Sequence, residues 1–151
     1  MLNYNLSQLD KITKKIISKL KSNDYILLYG ELGSGKTTFA RSLINELQKK
    51  NKVKQTSVLS PTFNLLYEYD IKSWKIMHFD LYRLQNHKEI EELDVLAKSK
   101  NKISIIEWPE KIFKMPEDRI EINFIYSSKK NFRKVNFKGY GRWNNFKINA
   151  I

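Results

Sequence analysis

Gly30-Glu31-Leu32-Gly33-Ser34-Gly35-Lys36-Thr37 matches G-x-x-x-x-G-K-[ST], the phosphate-binding loop of nucleotide hydrolases. The apolar run before it, Tyr25-Ile26-Leu27-Leu28-Tyr29, reads as a buried strand. After it, Phe39, Leu43 and Leu47 recur at helical spacing with Ala40 and Ile44 beside them. Strand, glycine loop and helix are the context the motif requires. Glycine lets the backbone curl so that several N–H groups point at one anion. The helix adds its unpaired N–H groups and the positive end of its dipole. The nucleotide phosphates are therefore expected against Glu31, Leu32, Gly33, Ser34, Gly35, Lys36, Thr37 and Thr38. Lys36 reaches the β- and γ-phosphates, and the Thr37 hydroxyl is a Mg²⁺ ligand. The chain has five glycines, and three of them (Gly30, Gly33, Gly35) lie in this loop.

The length of 151 residues suits one domain with a real core. The longest apolar run is about five residues, too short to span a bilayer. The first residues lack the pattern of a signal peptide. With no cysteine, thiolate chemistry and disulfides are excluded, and a cytoplasmic location is expected. The net charge is +12. Residues 122–151 hold seven cations (Lys129, Lys130, Arg133, Lys134, Lys138, Arg142, Lys147) and no acid, interleaved with Phe132, Phe137, Tyr140, Trp143 and Phe146. This pattern suits RNA contact. A solvated basic face with aromatics packed on a sheet suits it better, since lysine is abundant throughout.

In order along the chain, residues 2–6 alternate like a short strand. Ser7 is the expected N-cap, with Asp10 three residues on, of a helix carrying Leu9, Ile12, Ile16, Ile17 and Leu20. Ser60-Pro61-Thr62 breaks regular structure and offers two hydroxyls where switch loops sit in many nucleotide hydrolases; an ordinary turn is the other reading. Residues 64–69 and 74–79 read as an antiparallel hairpin with a four-residue turn, 70–73. Asp80 stands at the end of the second strand, where parallel α/β sheets gather their chemistry. Arg83 is close enough in sequence to cap it. His78 and His87 fit no metal-ligand spacing. Residues 89–97 read as a helix with an acidic first turn. Ile103-Ser104-Ile105-Ile106-Glu107 resembles a Walker B strand, whose carboxylate holds Mg²⁺ or polarises water. Pro109 stops that strand and suits the first position of a helix. Residues 119–126 and 132–137 read as closing strands. Spacing alone does not divide base and metal roles between Asp80 and Glu107.

The phosphate loop, Ser60-Pro61-Thr62-Phe63, His78-Phe79-Asp80-Leu81-Tyr82-Arg83-Leu84 and Ile106-Glu107-Trp108-Pro109-Glu110 stand in an order that resembles the TsaE (YjeE) family. The resemblance implies a P-loop ATPase needed to make threonylcarbamoyladenosine beside the anticodon of tRNAs reading codons that begin with A. It implies ATP and Mg²⁺ as cofactors and a TsaD–TsaB pair as partner. A chain this small offers no obvious water-excluding lid, so hydrolysis is expected to be slow until a partner docks and orders the switch-like loop. By resemblance, Lys36 and Thr37 bind phosphate and Mg²⁺, Glu107 is the second Mg²⁺-linked residue, and Asp80 orients or activates water. Ser60, Pro61 and Thr62 form the switch-like loop, Trp108 packs beside the site, and a late basic residue, Lys130 or Arg133, approaches the nucleotide. A further nucleotide contact is implied near residues 7–10. A non-catalytic, nucleotide-gated assembly factor and a small-molecule kinase are the alternatives; for the kinase no clustered arginine lid is visible. A GTPase is disfavoured, because Asn101-Lys102-Ile103-Ser104 ends in serine where the guanine-reading motif needs aspartate.

The expected architecture is α/β: one P-loop NTPase domain over residues 1–138, a mixed parallel and antiparallel central sheet flanked by helices, and a basic tail over 139–151.

Overall fold

The computed structural model describes residues 1–127 and 132–148. Seven strands form one sheet: β1 (Leu2–Tyr4), β2 (Asp24–Tyr29), β3 (Leu66–Ile71), β4 (Trp74–Asp80), β5 (Lys102–Glu107), β6 (Arg119–Ile125) and β7 (Arg133–Tyr140). Their spatial order is β1-β7-β6-β2-β5-β4-β3. The inner strands β6, β2, β5 and β4 are parallel, and β3, β7 and β1 extend the sheet antiparallel at its two sides. The α/β architecture with a mixed sheet is as expected, except that β6 joins the parallel core rather than closing it.

The apolar run of β2 follows from burial on both faces. Ile26 and Leu28 pack with α1 (Leu6–Ile17) and α2 (Lys36–Lys50) through Ile12, Ile16, Phe39 and Leu43. Tyr25 and Leu27 face the other way, onto Phe79, Leu81, Ile106 and Ile90 of the short α3 (His87–Glu92). Because β2, β4 and β5 run the same way, the residues that follow them emerge along one edge of the sheet. No helix among the described residues is long and apolar enough to cross a membrane.

Several boundaries differ from expectation. Asn5, not Ser7, caps α1: its side chain accepts from Gln8 N–H while the Gln8 side chain accepts from Asn5 N–H. Ser7 is the second residue of the helix and donates to Asn5 Oδ1 at 2.6 Å. The hairpin turn is two residues, not four. Asp70 pairs with Lys75 and Ile71 with Trp74, because Ile71 is drawn into the core. α3 starts and stops earlier than residues 89–97. Asn86 caps it, accepting from Glu89 N–H at 3.0 Å, and Asp94 leaves the helical region with φ 46°. Pro109 does open a helix, a single 3-10 turn over Pro109–Lys111.

The limit expected after Lys138 falls inside β7, which runs on to Tyr140. Trp143 then folds back into the core, 1% exposed. Gly139 is what admits it: a Cβ there would lie 1.9 Å from the Trp143 carbonyl oxygen.

Candidate nucleotide site

The loop between β2 and α2 needs its glycines. Gly30 has φ 137° and Gly35 has φ 112°, both on the left-handed side that side chains rarely adopt. At Gly30 a Cβ would also strike the Phe124 carbonyl oxygen at 2.7 Å. Gly35 is the N-cap of α2 and brings no side-chain cap, so the first N–H groups of a 15-residue helix are left for an anion. Ser34 is buried beneath the loop, and Tyr126 donates its hydroxyl to the Leu32 carbonyl from the far side.

Lys36 donates to the carbonyl oxygens of Gly30 at 2.6 Å and Glu31 at 2.8 Å. Its Nζ also lies 4.0 Å from the centre of the Trp108 ring. Burial lowers its pKa, while Glu107, Asp80 and Glu110 pull the other way. Trp108 holds a left-handed conformation (φ 61°) at the end of β5 and packs on Tyr82, ring centres 4.8 Å apart.

Glu107 and Asp80 are register partners at the ends of β5 and β4. The Thr37 hydroxyl donates to Glu107 Oε2 at 3.0 Å, and His78 Nε2 lies 2.9 Å from Glu107 Oε1. Asp80 takes a different set of donors: Thr62 Oγ1 on Oδ2 at 2.7 Å and Tyr82 N–H on Oδ1 at 3.0 Å. Ser60 and Thr62 hydroxyls are 2.9 Å apart. The loop that carries them is tied down, since the Pro61 carbonyl accepts from Leu65 N–H and the Leu65 carbonyl from Asp80 N–H. A cleft of about 200 Å³ joins these groups, lined by Lys36, Thr37, Thr38, Ser60, Thr62, Asp80, Glu107 and Trp108 with the glycine loop.

A second cleft of about 480 Å³ shares Gly33, Gly35 and Thr38 with the first. Its far wall is Tyr4, Asn5, Leu6 and Ser7 at the start of α1, with Arg133 of β7. Burial pushes the Tyr4 phenol up to about 12, so it stays a neutral donor. Lys130, the other basic candidate, lies outside the described residues. Arg83 points away from both clefts and lies over the exposed Phe63 ring, 5.1 Å from its centre, rather than capping Asp80.

The donor set suits Mg²⁺. Thr37 commits its hydroxyl hydrogen to Glu107, which leaves oxygen lone pairs for a cation. Among the described residues no three His, Cys, Asp or Glu side chains converge as a cage. One hydroxyl and one carboxylate beside a phosphate loop match an ion that keeps its waters and takes phosphate oxygens.

The sequence model of the family described as "Threonylcarbamoyl adenosine biosynthesis protein TsaE" matches residues 4–135. The chain belongs to the TsaE family. Curated relatives named tRNA threonylcarbamoyladenosine biosynthesis protein TsaE include that of Rickettsia felis, 41% identical over 70% of this chain and 60% of its own. The Rickettsia conorii protein is 43% identical over 66% of this chain and 55% of its own. The Haemophilus influenzae protein is 35% identical over 82% of this chain and 77% of its own. The match to the two Rickettsia relatives thus spans 55–60% of their length. Among solved structures, Bacillus subtilis YdiB superimposes with a TM-score of 0.66 over 95% of this chain and 88% of that one. At 22% identity, that likeness is one of fold. For this TsaE-family chain, reasoning from residues missed three groups. Asn5 looked like an ordinary strand end, though Asn three residues before Gln8 is a capping signal. His78 belongs to the His78–Leu84 run, but apart from a rejected metal-ligand role its residue type suggests no contact with Glu107. Arg142 was counted with the basic tail, yet it pairs with buried Asp24.

Proposed function

We propose that the chain is a Mg²⁺-dependent ATPase subunit that supports formation of threonylcarbamoyladenosine in tRNAs reading codons that begin with A, acting in the cytoplasm with a TsaD–TsaB pair. Family membership and the relatives' names support the pathway. The observation that carries the chemistry is the meeting of Thr37, Glu107, Asp80 and Lys36 at one edge of the parallel strands.

In this reading Lys36 and the loop N–H groups take the charge that grows on the phosphate oxygens. Thr37 and Glu107 hold Mg²⁺, which when bound neutralises phosphate charge. Asp80, fixed by Thr62 and Tyr82, presents its carboxylate to the attacking water. Trp108 flanks Lys36 and excludes solvent from one side. Asn5, Ser7 and Arg133 take the nucleoside end in the adjoining cleft. Arg142 of the basic tail is already paired with Asp24, which leaves Lys147 as the tail's other cation for RNA contact.

Phosphate release measured on the chain alone, and then with the TsaD–TsaB pair, tests this reading. Slow release that rises on adding the pair is the expected result; no binding and no change overturns it. The Thr62–Asp80 bond favours a second reading, in which nucleotide gates the switch-like loop for partner binding and hydrolysis is incidental. Glu107→Ala separates the two. Lost tRNA modification with ATP binding intact marks hydrolysis as necessary, and retained modification marks gating.

A further inference from the structure

His78 is wholly buried, in a row where apolar side chains would suffice. On β4, Ile76, His78 and Asp80 share one face, and Ile76 belongs to the apolar layer under α2. A histidine in that layer carries a penalty: its Nδ1 is buried with no hydrogen-bond partner among the described residues. Its other nitrogen accounts for its presence. Nε2 lies 2.9 Å from Glu107 Oε1, and the second Glu107 oxygen accepts from Thr37. Among the described residues each Glu107 oxygen has one protein partner, and at 2% exposure there is little water to replace either.

We infer that His78 is a positioning residue that holds Glu107 toward Thr37 and thereby fixes the Mg²⁺ site. This rests on the Mg²⁺ reading above. With only Thr37 attached, the glutamate pivots about its three side-chain torsions; with His78 attached as well, both oxygens are anchored. The anchor needs a donor facing Glu107, so the histidine carries a proton on Nε2. Groups that hold a metal-linked carboxylate from behind set metal affinity by about 10–100-fold when removed.

The test uses the full chain, with a fluorescent ATP analogue titrated with Mg²⁺ and with ¹⁵N spectra of the histidines. In His78→Leu, which keeps volume and loses the donor, nucleotide affinity without Mg²⁺ stays within about twofold, while the Mg²⁺ midpoint rises by about 10–100-fold. His78→Gln, which restores an N–H donor, recovers most of that shift. The wild-type spectrum shows His78 as the Nε2–H tautomer. An unchanged Mg²⁺ midpoint in folded His78→Leu, a His78→Gln no better than His78→Leu, or an Nδ1–H tautomer overturns the inference. If His78→Leu does not fold, the wild-type tautomer and His78→Gln decide. A wild type whose nucleotide binding ignores Mg²⁺ counts against the functional reading, whereas the tautomer speaks to His78 alone.

Discussion

Two carboxylates lie buried at opposite ends of the same pair of parallel strands. Asp24 begins β2 beside Ile103, and Glu107 ends β5 beside Leu28, four residues of strand or roughly 13 Å further on. Asp24 is 1% exposed and Glu107 is 2%. Their partners differ in kind. Asp24 is answered within the chain: Arg142 donates to both its oxygens, with Nε at 2.8 Å from Oδ1, and Lys21 N–H adds a bond at 2.7 Å. Among the described residues Glu107 meets a hydroxyl and an imidazole nitrogen. The nearby cation, Lys36, spends its donors on loop carbonyls instead. One buried charge is closed by a permanent counter-ion; the other, in the function proposed above, is left for a cation that arrives with the nucleotide. The difference separates a carboxylate closed by a cation of its own chain from one that lines the cleft beside the glycine loop.

The largest effect should come from opening the closed end. Arg142→Met leaves Asp24 buried and unpaired, which costs about 3–5 kcal/mol. At roughly 2–4 °C per kcal/mol for a chain of this size, calorimetry should show a melting temperature lower by about 6–20 °C. Nucleotide affinity of the folded protein should not change. Burial already raises the Asp24 pKa, against the pull of Lys21 N–H and Arg142. A carboxyl whose folded pKa lies above its unfolded value binds its proton more readily in the folded state. Its penalty is therefore absent at pH below the unfolded value and appears as pH rises through the folded one. The Arg142→Met deficit should accordingly shrink on acidification, and a deficit that grows instead would break the contrast.

Next in size is the open end. Glu107→Gln keeps the shape and removes the charge. Turnover should fall by about 100-fold, or about 2.7 kcal/mol of barrier, with stability held within about 1 kcal/mol. A large loss of stability with normal turnover would make Glu107 a structural acid like Asp24. Thr62→Val, which leaves Asp80 Oδ2 without its hydroxyl donor, should slow single turnover by about tenfold at unchanged nucleotide affinity. The smallest effect should be at the exposed Glu68–Lys75 pair on the outer hairpin, where both side chains are about half exposed (46% and 47%). Glu68→Gln should shift neither melting temperature nor turnover measurably.

The open end was the more legible of the two in the residues themselves. Gly30, Gly35, Lys36 and Thr37 are local in sequence, and their chemistry follows from spacing. Asp80 and Glu107 could be placed at strand ends because apolar runs lead into them. Their different surroundings were not legible, since spacing does not tell which hydroxyl each meets, Thr62 for Asp80 and Thr37 for Glu107. The closed end was hidden for a similar reason. Asp24 and Arg142 are 118 residues apart, and a basic, aromatic tail gives no sign that one arginine turns inward. Gly139 could not reveal that Trp143 folds back over it either, because its reason is a close approach rather than a turn. Boundaries failed where one side chain outweighed local pattern, as Ile71 did in tightening the hairpin turn.

Calorimetric titration of ATP into the wild type and Glu107→Gln, each with Mg²⁺ and with a chelator, tests the central claim most directly. The account predicts one site whose affinity rises with Mg²⁺ in the wild type and barely responds in Glu107→Gln. Equal Mg²⁺ dependence in the two proteins, or no ATP binding by the wild type, would contradict it.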